Sequence, residues 1–168
     1  MIPVMTKWLP SIFRVLLVIF LSSSLGRAAG FKPGDLFSGN SPQPIAVARQ
    51  EAWRYAEQVA AHHDGSFVVR GDGASMAPLY PSGTVLVIER VSYDQLKRGA
   101  TVIYRNNEGR PIAHVLVSLA RKGWRTAGLN NPHLDEESVS PENLLGIVLY
   151  AYTPVDLPPG DTLSYVAR

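Results

Sequence analysis

The sequence predicts a mainly β protein, a small coiled antiparallel β-barrel or sandwich preceded by one amphipathic helix. Three observations support this fold class. Apolar residues follow a helical period only as far as about residue 62. After Gly65, short β-rich segments alternate with turn residues. The 168 residues include no cysteine, so packing and not disulfide bonds must stabilise the core.

Residues 1–28 are predicted to be a secretory signal peptide. Lys7 and Arg14 flank a continuous apolar run at residues 15–21, and small side chains at Gly26 and Ala28 suit a cleavage site. The alternative is a short uncleaved membrane anchor, although about 11 mostly apolar residues fall short of the roughly 20 that span a bilayer. In both cases the rest of the chain is expected to be exported, to the periplasm or another extracytoplasmic compartment, with or without attachment to the membrane.

The charge distribution argues against nucleic acid as a partner. The formal net charge of +2 depends on the N-terminal segment, which contains three basic residues and no acidic residue. The remaining residues, 29–168, contain 13 basic and 14 acidic side chains. The exported part therefore has no positive excess that would favour nucleic-acid binding.

Residues 29–64 are predicted to form an extended arm followed by the helix. The arm, up to residue 44, is rich in glycine, proline and serine. From Ile45 to His62, apolar side chains recur at helical spacing and charged side chains lie elsewhere on the helical wheel. Asp64 and Gly65 are suitable residues for ending the helix.

Residues 65–168 are predicted to form the β domain that carries the chemistry. Turn residues separate the candidate strands, and residues 107–109 form a hairpin tip. Short strands at this spacing are typical of a small barrel or sandwich. The candidate strands are residues 66–70, 84–89, 101–105, 112–120, 124–127 and 144–150.

Ser75 is the candidate nucleophile. It lies in the segment Gly-Ala-Ser-Met-Ala-Pro at residues 73–78, between the first two candidate strands, so its hydroxyl is expected on a turn. Gly73 gives this turn backbone freedom and lets another chain approach closely. Serines on turns are common, however, so the segment alone does not establish catalysis.

His114 is the candidate general base. Strand alternation places it on the same face as Ile112 and Leu116, and the apolar neighbours predict a partly buried ring that needs a hydrogen-bond partner. A serine hydroxyl would be such a partner, and neutral imidazole is the usual base for a serine. The alternative is a core histidine bonded to the backbone.

Asp135 follows the turn at residues 130–132 and is the candidate third member of a triad. A carboxylate there would orient the imidazole and stabilise its charged form. The alternative is a turn aspartate that accepts backbone N–H bonds. No carboxylate cluster accompanies His62, His63 and His133, so the sequence predicts neither a metal site nor another cofactor.

Together these segments resemble the superfamily of signal peptidase I and the LexA-like serine peptidases. Ser75, Met76 and Pro78 match its serine box, and Ile112 to His114 align with the box that carries the general base. The base is histidine, as in the archaeal and endoplasmic-reticulum branch of signal peptidases. Three further segments resemble boxes of the superfamily: residues 93–104, residues 128–135 and residues 143–148. The resemblance covers residues 66–152.

This resemblance implies a fold of the LexA/signal peptidase type, with Ser75 as nucleophile, His114 as base and Asp135 as the later of two acids. The residues around the nucleophile are expected to bind substrate: Gly73, Ala74, Met76 and Pro78. Leu129 stands where the family has its first aspartate. A side-chain oxyanion donor upstream of the serine is also missing, so backbone N–H groups near Ser75 must supply that stabilisation.

The resemblance therefore implies a serine endopeptidase that cleaves exported or membrane-associated precursor peptides after small residues. The substrate would bind as an extended peptide along a strand edge, and Leu79 and Tyr80 are expected either to contact the membrane surface or to line the substrate groove. One alternative is a weak or inactive relative that binds peptides, which Leu129 and Ala74 favour. Another is a self-cleaving regulator of the same fold, which the signal peptide disfavours.

Overall fold

The computed structural model describes residues 37–156. The predicted signal peptide, residues 29–36 of the arm and the tail from residue 157 lie outside the described residues. The elements in chain order are β1 (Ile45–Ala48), α1 (Ala52–Ala60), β2 (Phe67–Arg70), β3 (Val85–Glu89), β4 (Thr101–Arg105), β5 (Pro111–Ala120), β6 (Gly123–Ala127), β7 (Ser138–Val139) and β8 (Leu144–Val155).

The eight strands form one sheet that curls into a half-barrel. The strand order is β2-β3-β8-β4-β5-β6-β7, and β1 pairs with β8 beside this path. The β1–β8 pair is parallel and the other pairs are antiparallel. Register shifts between Val87 and Ile88, Ile103 and Tyr104, and Leu116 and Ser118 bend the strands and increase their twist. The predicted mainly β fold with a single helix is confirmed.

One glycine permits the close packing of β8 against β3. Gly146 has a φ of +156°, and a Cβ atom there would lie 2.3 Å from the carbonyl oxygen of Glu89. Any other residue would push the two strands apart, because real Cβ contacts are essentially never this short. Glycine is therefore required at this point of the sheet.

Both faces of β3 are covered, which explains its continuous run of apolar residues. Val85 and Val87 pack against α1, whereas Leu86 and Ile88 belong to a second cluster beneath the turn that carries Ser75. A third apolar cluster lies under β4, β5 and β7 and includes Tyr104, Leu116 and Val139. The serine turn thus lies over a buried apolar cluster.

The helix α1 is amphipathic but shorter than predicted. Ala52 and Ala56 are buried against the sheet, and Trp53 and Arg54 are exposed. Among residues 37–156, no helix has the length and apolar character needed to cross a bilayer.

The predicted start of the helix at Ile45 is wrong. Residues 45–48 are strand β1, which runs parallel to residues 152–155 of β8. Hydrogen bonds to this distant strand replace the helical ones, and α1 begins only at Ala52. The predicted strand at residues 101–105 has the bounds of β4, whereas β7 was not predicted and β8 continues five residues further than expected.

Candidate active site

Ser75 lies on the turn between β2 and β3 and is half-buried. Gly73 has a φ of +95°, a left-handed conformation that favours glycine, and it turns the chain toward Ser75. The next side chain, Met76, is buried in the core, and its carbonyl oxygen accepts a 2.9 Å hydrogen bond from the Tyr80 N–H. The Ala77–Pro78 peptide bond is cis. The nucleophile candidate is therefore held by a buried neighbour on a compact turn.

The loop that follows β6 packs directly against Ser75. The Asn130 N–H donates a 2.8 Å hydrogen bond to the Ser75 carbonyl oxygen. A Cβ atom on Gly128 would lie 2.7 Å from that oxygen and 2.9 Å from the Ser75 Cβ. Only a residue without a side chain permits this approach, so the loop determines where the Ser75 backbone lies.

His114 lies on β5 and its ring is buried. Its Nδ1 atom is 2.6 Å from Oδ2 of Asp135, so Nδ1–H donates to the carboxylate. In the neutral ring, Nε2 is then the nitrogen that can accept a proton. This tautomer is the one that a general base for serine requires.

Asp135 is held in place by its backbone as well as by its side chain. Its N–H donates a 2.8 Å hydrogen bond to the Thr126 carbonyl oxygen, and its own carbonyl oxygen accepts a 3.0 Å bond from Nη2 of Arg125. Both partners lie on β6. These two hydrogen bonds fix the backbone of Asp135 beside β6. Its carboxylate contacts side chains, so Asp135 is not a turn aspartate that accepts only backbone N–H bonds.

The surroundings of Asp135 keep its carboxyl group ionised. Burial alone would raise the pKa of Asp135, but the hydrogen bond from His114, the positive charge of a protonated His114 and the nearby hydroxyl groups of Thr126 and Tyr104 outweigh burial. The net result is a pKa of Asp135 below its ordinary value. A charged carboxylate is thus available to stabilise an imidazolium beside it.

Ser75 and His114 line the same cavity, which has a volume of about 160 Å³. The surface that lines the cavity is mostly apolar, and Met76, Tyr80 and Leu86 contribute to it. Among the described contacts, no hydrogen bond joins the Ser75 hydroxyl to the His114 ring. Catalytic hydrogen bonds are often long without substrate and shorten when it binds, so this geometry is compatible with a dyad.

Two strand edges flank this cavity. One is β2, which ends the sheet order and whose neighbour is β3. The other is the start of β5: residues 111–114 pair with β4, and the pairing with β6 begins only at Val115. In the described part of the chain, both edges thus retain backbone groups that an added strand can bind.

The other predicted site residues divide into two groups. Gly73 and Met76 line the cavity, but Ala74 and Pro78 do not. Pro78 borders a second depression with Leu79 and Leu129. Leu129, only 5% exposed, is a core residue packed in the same cluster as Met76. The acid that contacts His114 is Asp135, and position 129, where the family has its first aspartate, contributes only to the core.

Sequence reasoning missed Tyr104, whose hydroxyl also donates to Oδ2 of Asp135, at 3.1 Å. A signal existed, because Tyr104 falls inside a strand of buried residues and a buried phenol needs a hydrogen-bond partner. The sequence could not predict that this partner is Asp135, because Asp135 lies 31 residues further along the chain.

Comparison with known proteins identifies a family for this chain. No protein with a curated description matches the chain significantly. A family model described as Peptidase S24-like matches residues 35–149, a span that includes Ser75, His114 and Asp135. Because this match covers more than half of the 168 residues, the chain belongs to the Peptidase S24-like family.

Proposed function

We propose that this protein is a serine endopeptidase of the signal peptidase I kind, most similar to the branch that uses histidine as the base. The observation that carries this proposal is the 2.6 Å contact between His114 Nδ1 and Asp135 Oδ2, beside a cavity that His114 shares with Ser75. A serine, an imidazole and a carboxylate in this order have the roles of a catalytic triad.

In the proposed mechanism, Nε2 of His114 removes the Ser75 proton as Oγ attacks a peptide carbonyl carbon. The charged Asp135 stabilises the resulting imidazolium, and backbone N–H groups near Ser75 stabilise the oxyanion. Collapse of the tetrahedral intermediate breaks the C–N bond, and His114 returns its proton to the leaving amine. Water, activated by the same imidazole, then hydrolyses the acyl-enzyme and restores Ser75.

The proposed substrate is an extended peptide that lies between the edges of β2 and β5. Backbone hydrogen bonds to the two edges would provide affinity, and the cavity would select one side chain. Cleavage after small residues is proposed from the resemblance to signal peptidases, and the bulky Tyr80 side chain takes up part of the cavity lining. The Tyr80 ring is held there by a 2.7 Å hydrogen bond from its hydroxyl to the Pro42 carbonyl oxygen.

Exported or membrane-associated precursors are the proposed source of such peptides. The predicted signal peptide supports an extracytoplasmic location for the enzyme. Of the two residues expected either to contact the membrane or to line the groove, Tyr80 is buried and lines the cavity, so the expectation of membrane contact is wrong for Tyr80. Leu79, which borders the second depression, is proposed to contact the membrane surface.

The second candidate is a peptide-binding relative without catalytic activity. The observation that favours it is that the described contacts include no hydrogen bond between Ser75 and His114, together with a glycine at position 73 that supplies no side-chain oxyanion donor. Such a protein would use the same strand edges and the same cavity for binding.

The test is cleavage of a peptide with an Ala-x-Ala site by the full-length chain in detergent micelles. We expect the parent to cleave it, and Ser75→Ala and His114→Ala to lose at least about a thousandfold in kcat. Ser118→Ala, the same substitution at an exposed serine of β5, should leave kcat unchanged.

Three results would contradict the proposal. If the parent fails to cleave between about pH 6 and 9, where a histidine base is active, the peptide-binding alternative is favoured. Cleavage that survives in Ser75→Ala would exclude Ser75 as the nucleophile. Cleavage of the chain itself, at a rate independent of its concentration, would indicate a self-cleaving regulator.

A further inference from the structure

The Asp135 carboxylate has a second donor that is separate from the histidine. Tyr104, on β4, is 1% exposed, and its hydroxyl donates a 3.1 Å hydrogen bond to Oδ2 of Asp135. The same oxygen accepts the hydrogen bond from Nδ1 of His114. One carboxylate oxygen therefore joins a buried phenol on β4 to the imidazole on β5.

The register of β4 and β5 explains why both side chains reach this oxygen. Tyr104 is directly opposite Ile112, and His114 is opposite Val102. Residues 112 and 114 share a face of β5, so Tyr104 and His114 are diagonal neighbours on one face of the sheet. A carboxylate placed over this diagonal can bind both groups.

A third residue orients the Tyr104 hydroxyl. Oγ1 of Thr126 donates a long hydrogen bond of 3.4 Å to the phenol oxygen. A phenol has one proton, and since Thr126 occupies a lone pair, that proton is directed toward Asp135. Burial raises the pKa of Tyr104, so the phenol stays protonated and remains a donor at every pH at which a histidine base is active.

We infer that Tyr104 is a positioning residue of the proposed triad, holding the Asp135 carboxylate in the orientation that binds Nδ1 of His114. The inference rests on the proposed function for its catalytic consequence. Without the phenol, the carboxylate would lose one of the donors that oppose its rotation about the Cβ–Cγ bond. Tyr104 would thus act on the reaction through Asp135, without touching the substrate.

Tyr104→Phe tests this by removing a single hydroxyl. We expect kcat to fall about tenfold and KM to stay within about twofold, since a hydrogen bond to a charged group is worth about that factor. The matched control is Tyr93→Phe. The Tyr93 hydroxyl donates to the Val139 carbonyl oxygen at 3.1 Å and accepts from the Trp124 N–H at 3.2 Å, away from the triad. Tyr93 packs against the same apolar cluster, so its variant should keep the parent's kcat.

A double-mutant cycle separates positioning from a general structural role. In an Asp135→Asn background, Tyr104→Phe should cause little further loss of kcat, because the group that it positions is already gone. Thr126→Val, which removes the donor to the phenol, should give a smaller loss in the same direction as Tyr104→Phe.

The proton on Nδ1 of His114 provides a readout that does not depend on cleavage. In a 2.6 Å hydrogen bond it gives a strongly deshielded NMR signal, assigned by its loss in His114→Gln. Tyr104→Phe should shift or broaden this signal, and Tyr93→Phe should not. If the parent proves inactive, the proposed function fails, yet this signal still decides whether Tyr104 positions the pair.

Two results would overturn the inference. One is a Tyr104→Phe enzyme with the parent's kcat and an unchanged Nδ1 proton signal. The other is a loss of kcat on Tyr104→Phe that is equally large in the parent and in the Asp135→Asn background, because Tyr104 would then act through a different group.

Discussion

Gly128 packs directly against Ser75, the proposed nucleophile. Alanine at this position would bring its Cβ to 2.7 Å from the Ser75 carbonyl oxygen and 2.9 Å from Nδ2 of Asn131. We expect Gly128→Ala to displace Ser75, to lower kcat at least about tenfold and to destabilise the fold by about 1–3 kcal/mol. Peptide cleavage and urea unfolding measure the two effects.

Gly39→Ala is the matched control for that substitution. Its Cβ would approach only the Phe37 ring, at 3.1 Å, and that ring packs against Gly99 and Arg98, neither of which lines the cavity. Activity should therefore be unchanged. If Gly128→Ala keeps the parent's kcat, the loop after β6 does not determine the position of Ser75.

The lowered pKa of Asp135 predicts a pH dependence of stability. Because the folded state favours the carboxylate more than the unfolded chain does, the contribution of Asp135 is complete above the unfolded carboxyl pKa of about 4. It is lost as the pH falls through the lower folded value. The parent should therefore have a higher Tm than Asp135→Asn near neutral pH, and this gap should close in acid.

Differential scanning calorimetry of both proteins between about pH 2 and 7 spans the titration of Asp135. Glu136→Gln provides the control, since Glu136 is the exposed neighbour and should alter Tm little at either end of the range. A gap that stays constant across the range would show that Asp135 stabilises the fold by some means other than its charge.

At the candidate site, single residues were predicted from residue type and family resemblance together. Ser75, His114 and Asp135 were chosen because their residue types and family boxes match a triad. Their meeting was not predictable from spacing, because Ser75 and His114 are 39 residues apart and only the curl of the sheet brings them to one cavity. For the same reason Leu129 looked like a missing acid, although it is a core side chain.

At the scale of elements, strands whose pattern is local were predicted well and those defined by distant partners were not. Residues 101–105 are a short β-rich run that pairs with the next strand in a hairpin, so β4 was predicted with its observed bounds. β1 pairs with a strand about 107 residues later, and no local pattern encodes that partner. The two-residue strand β7 exists only because residues 124 and 125 lie beside it.

The contribution of β1 to stability depends on one of its side chains. Val47 is 8% exposed and packs in the cluster under α1, whereas Ile45 on the same strand is 44% exposed. We expect Val47→Ala to lower the free energy of unfolding by about 2 kcal/mol, from lost burial and a residual cavity. Urea denaturation measures this loss.

Ile45→Ala serves as the control on the same strand. It removes more atoms than Val47→Ala, yet it should cost less than about half as much, because Ile45 is already partly hydrated. Equal losses in the two variants would show that β1 is stabilised by its pairing with β8 and not by Val47.

At the scale of the whole molecule, the sheet is open on the side where the cavity lies. A peptide seated between β2 and the start of β5 would connect the β2 edge to the part of β5 that precedes its pairing with β6, and would extend the hydrogen-bonded ladder. In the Ser75→Ala variant, an uncleaved Ala-x-Ala peptide at about 100 times its Kd should stabilise the fold by about 2.7 kcal/mol. A rise in Tm with peptide concentration is the measurement.

The control peptide carries N-methyl groups on alternate backbone nitrogens, which removes donors without changing the side chains. It should raise Tm much less than the unmodified peptide. Equal shifts with both peptides would mean that binding does not use the strand edges.

The length of the loop between β6 and β7 is expected to affect which relatives of this protein are active. Its first residue, Gly128, packs against Ser75, and Asp135, three residues before β7, binds His114, so the loop length sets the distance between two parts of the proposed catalytic site. Deleting or inserting one residue in this loop would change that distance, although Ser75, His114 and Asp135 would all remain. A relative that keeps the three side chains but has a loop of different length is therefore expected to be inactive. The loop length should be compared together with the three residues when active family members are distinguished from inactive ones.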